Sequence, residues 1–264
     1  MNNELQQRYT FVCQLAKEAG QLAYNYQRKL IKDGLTIDVK GQQDFVSEAD
    51  KETEIFIRQQ LTQTFPQDGF LGEESGEGSG QHNDEESDND NTTGIWVVDP
   101  IDGTTNFLRK QPMWCVSIAY LVDGVPVIGA IYDPCHDELF SALHGEGAWL
   151  NEQPLKVNQG SNDMVGLVNL GYSAKMPLDT YLTTMKRLLD HGIEHRRHGS
   201  AALGLAHVAA GRFDGYREDF LNAWDIMAGV VILQEASADV ILNEVSGGYA
   251  IQASIPALTD LLKG

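Results

Sequence analysis

Apolar residues recur at intervals of three and four from Leu5 to Leu30, at Leu5, Tyr9, Val12, Leu15, Ala16, Ala19, Ala23 and Tyr26. That spacing lines one face of an α-helix and predicts an amphipathic helix over the segment. A second periodic segment runs from Glu48 to about Thr64, with Ile55, Phe56 and Leu61 expected inward and Pro66 as its stop. Phe70-Leu71-Gly72 reads as a brief strand, and Ile95-Trp96-Val97-Val98 as a strand buried on both faces, since its apolar run is unbroken. Further strands are expected over Val116 to Val122, Val125 to Tyr132 and Glu138 to Ala142. Asp123-Gly124 between the first two is a strong hairpin signal.

Beyond about Asn151 strands and helices alternate. Strands are predicted near Val165 to Leu170, Phe213 to Tyr216 and Asp239 to Leu242. Helices are predicted at Leu178 to His191, Ser200 to Ala210 and Asp225 to Ala236, with a last one after Pro256. The pattern predicts a layered α/β fold in two apposed halves, residues 1–150 and 151–264. Residues 76–93, acidic and rich in Gly and Asn, are expected to form a mobile surface loop.

Charge narrows the candidate functions. Nineteen Lys plus Arg face thirty-eight Asp plus Glu, a formal net charge of −19 over 264 residues. Such a surface repels a nucleic-acid backbone and argues against direct nucleic-acid binding. It also repels a small phosphorylated substrate unless carboxylates are grouped around divalent cations that invert the local sign. Three widely spaced cysteines, Cys13, Cys115 and Cys135, suggest no disulfide framework and suit a reducing cytoplasm. No apolar stretch approaches the roughly 18 residues that span a bilayer, so no membrane association is expected.

Four segments carry candidate chemistry. In Trp96-Val97-Val98-Asp99-Pro100-Ile101-Asp102-Gly103-Thr104-Thr105-Asn106, a buried strand ends in two carboxylates three residues apart, a pair suited to hard cations. Gly103-Thr104-Thr105 can then open a helix whose free N–H groups meet a phosphate oxygen. The same Asp, Pro and Gly residues would equally build a simple turn. Leu71-Gly72-Glu73-Glu74-Ser75 places carboxylates directly after a strand end, and Asp225 in Trp224-Asp225 either caps a helix or faces the metal centre. Asp44-Phe45-Val46-Ser47-Glu48-Ala49-Asp50-Lys51 sets acids near a helix start, where one can partner a general base or serve as a start device.

These segments, in this order and with Lys40 shortly before them, resemble the inositol monophosphatase family of magnesium-dependent, lithium-sensitive phosphatases. The resemblance runs from Lys40 to about Glu235 and includes Gly199-Ser200-Ala201-Ala202 and Ala209-Ala210-Gly211-Arg212-Phe213-Asp214-Gly215-Tyr216. It implies a five-layer αβαβα sandwich and a homodimer. Glu73, Asp99, Asp102, Asp225 and the carbonyl of Ile101 would hold two or three Mg²⁺. Thr104 paired with Asp50 would position and deprotonate a water, and Gly103 and Thr104 would hold phosphate oxygens. Asp102, Ser200, Ala201 and Glu218 would face the alcohol of the substrate, while Lys40 and Asp44 would belong to a mobile loop. The resemblance further implies a small phosphorylated polyol as substrate. Glu218 favours inositol phosphate, because a carboxylate accepts bonds from ring hydroxyls. Related enzymes act on histidinol phosphate, fructose bisphosphate, NADP or adenosine bisphosphate, and a bacterial relative of this fold associates with transcription machinery. His191, His195 and His198, with Arg196 and Arg197, are expected to form a solvated rim. Glu235-Ala236-Ser237-Ala238-Asp239 departs from the Glu-Ala-Gly-Gly that the family usually carries there.

Overall fold

The computed structural model describes residues 2–32, 39–75, 94–157 and 166–263. The expected mobile loop over 76–93 lies outside the described residues. The first helix, α1, spans Asn2–Lys32 and buries Val12, Leu15, Ala16, Ala19 and Ala23, the stripe its periodicity predicts. The second, α2, spans Val39–Thr64, so it begins earlier than the apolar pattern suggests. It turns Ile57 and Leu61 to the core and leaves Ile55 48% exposed, against the expectation for Ile55. Ile57 and Leu61 lie four apart on one stripe with Ala49 and Thr53, whereas Ile55 projects from the opposite side.

Next come β1 (Gly69–Gly72), β2 (Ile95–Asp102), the short helix α3 (Thr104–Leu108), β3 (Cys115–Val122), β4 (Val125–Asp133), β5 (Glu138–Leu143), β6 (Gly147–Leu150) and β7 (Gln153–Leu155). The seven strands form one sheet in sequence order, with β1 parallel to β2 and every later pair antiparallel. The remainder comprises β8 (Leu167–Leu170), α4 (Leu178–Asp190), β9 (Glu194–Arg196), α5 (Ala201–Ala209), β10 (Gly215–Leu221), α6 (Ala223–Glu235), β11 (Asp239–Val245), β12 (Gly248–Ser254) and α7 (Thr259–Leu262). Its five strands form a second sheet in the order β11-β12-β10-β8-β9.

Hydrophobicity decides the layer of each helix. Residues 201–209 of α5 and 226–233 of α6 are buried on every side, as a helix between two apolar surfaces must be. Both pack between the sheets; α1 and α2 cover the outer face of the first sheet, and α4 and α7 lie on the far side of the second. The result is the expected α-β-α-β-α sandwich.

A buried polar knot locks α1 to the first sheet. Asp68 accepts from Arg8 Nε and Nη2, each at 2.9 Å, from Trp96 Nε1 at 3.0 Å and from Tyr120 OH at 3.0 Å. Its side chain has no exposed surface, and these donors offset the desolvation of its charge. Among the described residues no helix is long and apolar enough to cross a membrane.

Candidate metal centre and active site

The two carboxylates of β2 meet because the strand is irregular. Residues three apart on a regular strand point to opposite faces. Here Asp99 pairs with Ser117 and Asp102 with Cys115, so three steps on β2 match two on β3. The extra residue is a bulge that returns Asp102 to the face of Asp99. The turn reading of Asp-Pro-x-Asp-Gly holds as well, since Asp99 Oδ1 accepts from Ile101 N at 3.0 Å.

Asp102 then reaches across to the other half of the chain. Its Oδ2 accepts from Ser200 Oγ at 2.5 Å and Ala202 N at 2.7 Å, and its Oδ1 from Ala201 N at 3.2 Å. Ser200 is the N-cap of α5, its Oγ also accepting from Leu203 N at 3.3 Å. The aspartate therefore sits over the N–H groups that a helix leaves unpaired at its start. Asp225 arrives from α6, as the third residue of that helix rather than its cap; Asn222 is the cap, and Asp225 Oδ2 accepts from Asn222 N at 2.7 Å. Helix-start bonding and convergence on the centre thus share one side chain.

Asp99, Asp102 and Asp225 each bring one oxygen within 4.8 Å of the others. Burial, then the charges of Glu73, Asp102, Asp225 and Asp50, raise the Asp99 carboxyl well above its usual range. Burial likewise raises Asp225, with Asp102 the largest neighbouring charge. Glu73 is raised by burial and lies in hydrogen-bonding reach of Asp99. Burial pushes Asp50 up to about 8, aided by Glu74, Glu73 and Glu54. Its Oδ1 is buried without a hydrogen-bond partner. Hard oxygens at this separation, together with an orphaned buried carboxylate oxygen, fit a hard divalent cation such as Mg²⁺.

Gly103 has φ +100°, and a Cβ there would lie 2.8 Å from Met113 O, so glycine alone fits the step from β2 into α3. Thr104 opens α3 and its Oγ1 donates to Ile101 O at 3.2 Å. The hydroxyl proton is thus given to Ile101, and the Thr104–Asp50 pair that the resemblance implies is not formed. Lys40 and Asp44 fall on α2 by their backbone, and their side chains lie outside the described residues.

Beside the centre is a cavity of about 170 Å³ lined by Ser200, Ala201, Glu218, Tyr216, Asn169 and Arg197 among others. Tyr216 OH donates to Glu218 Oε2 at 2.7 Å, while burial pushes Glu218 up to about 7. A Cβ on Gly171 would lie 1.9 Å from that carboxylate, so this wall is cut to the acid. Asn169 escaped the sequence reading, because a lone Asn carries no motif, and Tyr216 entered it only as the end of a matched segment, with no role. His198 leaves the expected rim: its ring packs edge-on to Phe213 at 4.9 Å, and burial lowers its pKa.

The profile of the inositol monophosphatase family matches residues 4–254. The chain is 37% identical over 238 residues to Nus factor SuhB of Escherichia coli strain K12, covering 89% of this chain and 84% of that one. Among solved structures, extragenic suppressor protein suhB from Bartonella henselae superposes with a TM-score of 0.80 at 34% identity, covering 96% of each chain. Inositol monophosphatase from Anabaena (Nostoc) sp. PCC 7120 gives 0.79 at 35% identity, covering 98% of this chain and 94% of that one. With the sandwich and the acidic centre in place, these matches show that the chain belongs to the inositol monophosphatase family.

Proposed function

We propose that this protein is a metal-dependent phosphomonoesterase that hydrolyses inositol monophosphate, or a similar small polyol phosphate, to the free alcohol and phosphate. The observation that carries the reading is the convergence of Asp99, Asp102 and Asp225 beside a cavity walled by Ser200, Tyr216 and Glu218. Glu73, Asp99, Asp102, Asp225 and the Ile101 carbonyl would hold two or three Mg²⁺. The ions, when bound, would supply Lewis acidity toward the phosphate and lower the pKa of the attacking water. Gly103 and Thr104 then bind phosphate oxygens through their N–H groups. Asp50 accepts the water's proton once the Thr104 hydroxyl turns to it from Ile101. Glu218 and Ser200 orient the alcohol. Family resemblance supports a homodimer, which sedimentation would read directly.

In the test, phosphate release from inositol monophosphate depends on Mg²⁺ and falls with millimolar Li⁺. Asp99→Asn lowers kcat/KM by about a thousandfold, the loss of several kcal/mol of charge stabilisation. Unchanged turnover in that variant would overturn the assignment. A second reading, association with transcription machinery, is favoured by the match to a relative named as a Nus factor. A binding role would survive Asp99→Asn and show as protein copurifying with either form.

A further inference from the structure

The peptide of His198 is held on both sides by asparagines, one from helix α3 and one from strand β8. Asn106, on α3 just after the metal motif, donates through Nδ2 to His198 O at 2.7 Å and to Met113 O at 2.6 Å. Asn169, on β8, accepts from His198 N at 3.4 Å through Oδ1. The next residue, Gly199, has φ +76°, and a Cβ there would sit 3.3 Å from Asn106 Nδ2, so backbone and amide are packed face to face. On one side of this clamp lies Arg197, whose Nη2 donates to Tyr172 O at 3.3 Å across the cavity. On the other lie Ser200 and Ala201, which line the same cavity and donate to Asp102. Residues 197–200 and the start of α5 therefore wall the alcohol cavity and are tied to the metal-binding motif twice, at His198 O through Asn106 and at Ser200, Ala201 and Ala202 through Asp102.

We propose that Asn106 is a positioning residue for the alcohol part of the substrate: its amide fixes the His198 end of the segment 197–200 against the metal-binding motif, where Asp102 holds only the Ser200 end, and so places the groups that read the leaving alcohol. This rests on the phosphatase reading above. The phosphate is bound by Gly103 and Thr104 at the start of α3 and by the acidic centre, whereas the carbonyl that Asn106 holds belongs to the segment walling the alcohol cavity, so the lost bond falls on the alcohol side. An amide donor to one peptide carbonyl, once lost, removes on the order of one hydrogen bond of organisation, roughly a tenfold effect.

The experiment compares two esters on the full-length protein with saturating Mg²⁺: the polyol phosphate with the highest kcat/KM in a panel, and para-nitrophenyl phosphate, which offers the cavity no hydroxyls. Asn106→Ala is expected to raise KM for the polyol phosphate by about tenfold and to leave that for the aryl ester within about twofold, with kcat for both little changed. Asn106→Ser, which keeps one hydroxyl donor at the same place, is expected to move the same ratio in the same direction by a smaller factor, which keeps the idea testable should Asn106→Ala fail to fold. A general loss of stability would weaken both esters alike and would not move their ratio. Equal effects on the two esters, or no effect on either, overturn the inference alone. A wild-type protein that hydrolyses neither ester overturns the phosphatase reading and the inference with it.

Discussion

Ser237 shows how a single position can carry a cost that its neighbours impose. It follows α6 with φ +65°. Ser237 N donates to Gln234 O and Ala238 N to Leu233 O, both at 3.0 Å, the paired bonds that end a helix on a left-handed residue. A side chain at positive φ costs about 1–2 kcal/mol. Ser237→Gly relieves that strain but loosens the unfolded chain, so it is expected to stabilise the fold by about 0.5–1 kcal/mol. Urea unfolding checks this: the midpoint rises while the slope stays unchanged. Asp225 carries two loads, bonding the start of α6 and joining the acidic group, so helix start and metal centre are not alternatives for it. Thr104 is the counterexample, since a hydroxyl has one proton and here it goes to Ile101.

At the scale of elements, the knot around Asp68 joins α1, β2 and β3 through one carboxylate. Asp68→Ala would leave the Arg8 guanidinium, which lies over the Phe65 and Tyr120 rings, together with the Trp96 and Tyr120 donors short of their shared acceptor. The expected loss is about 3–5 kcal/mol, as for one half of a buried ion pair. Thermal or urea unfolding reads it, and a loss under about 1 kcal/mol would show that the knot does not hold α1 down. The bulge between Asp99 and Asp102 works at the same scale, because one extra residue on β2 decides whether two carboxylates share a face.

For the whole molecule, the centre is stored charge. Four acids raised by burial and by one another favour their protonated forms in the fold, as Asp50, pushed up to about 8, illustrates. Between about pH 4 and pH 8 the folded, metal-free protein therefore binds more protons than the unfolded chain, and stability falls as pH rises through that window. Asp225→Asn keeps an acceptor for Asn222 N and removes one charge. At pH 7.5 in chelator it is expected to raise stability by about 0.5–2 kcal/mol, a usual gain when a functional site is neutralised. Added Mg²⁺ should raise the melting temperature of the wild type more than that of the variant. Melting curves at pH 5 and pH 7.5, with and without Mg²⁺, check both statements. A variant less stable than wild type in chelator would mean that the acids do not repel one another as placed.

The order of elements, the buried character of α5 and α6 and the acidic segments of the centre were legible in the sequence, because apolar periodicity and short motifs are local properties. Several pieces were not. The strands β6, β7 and β9 are only three or four residues long and β12 lacks clean alternation, so no periodicity marks them, even though β6, β7 and β12 pair with strands next to them in the chain. Ile55 was expected inward because its identity, rather than its place on the stripe, drew attention. Asn106 and Asn169 do their work through His198, far from both in sequence, and no spacing announces that. By itself the sequence determined which residues could bind a hard cation and which helices had to be enclosed, since side-chain chemistry and hydrophobic pattern do not depend on the fold. Only the tertiary structure decided that Asp102 lies over the start of α5 and that three carboxylates meet, because convergence is a property of packing: it needs the bulge in β2, the ends of two central helices and the two sheets that press them together.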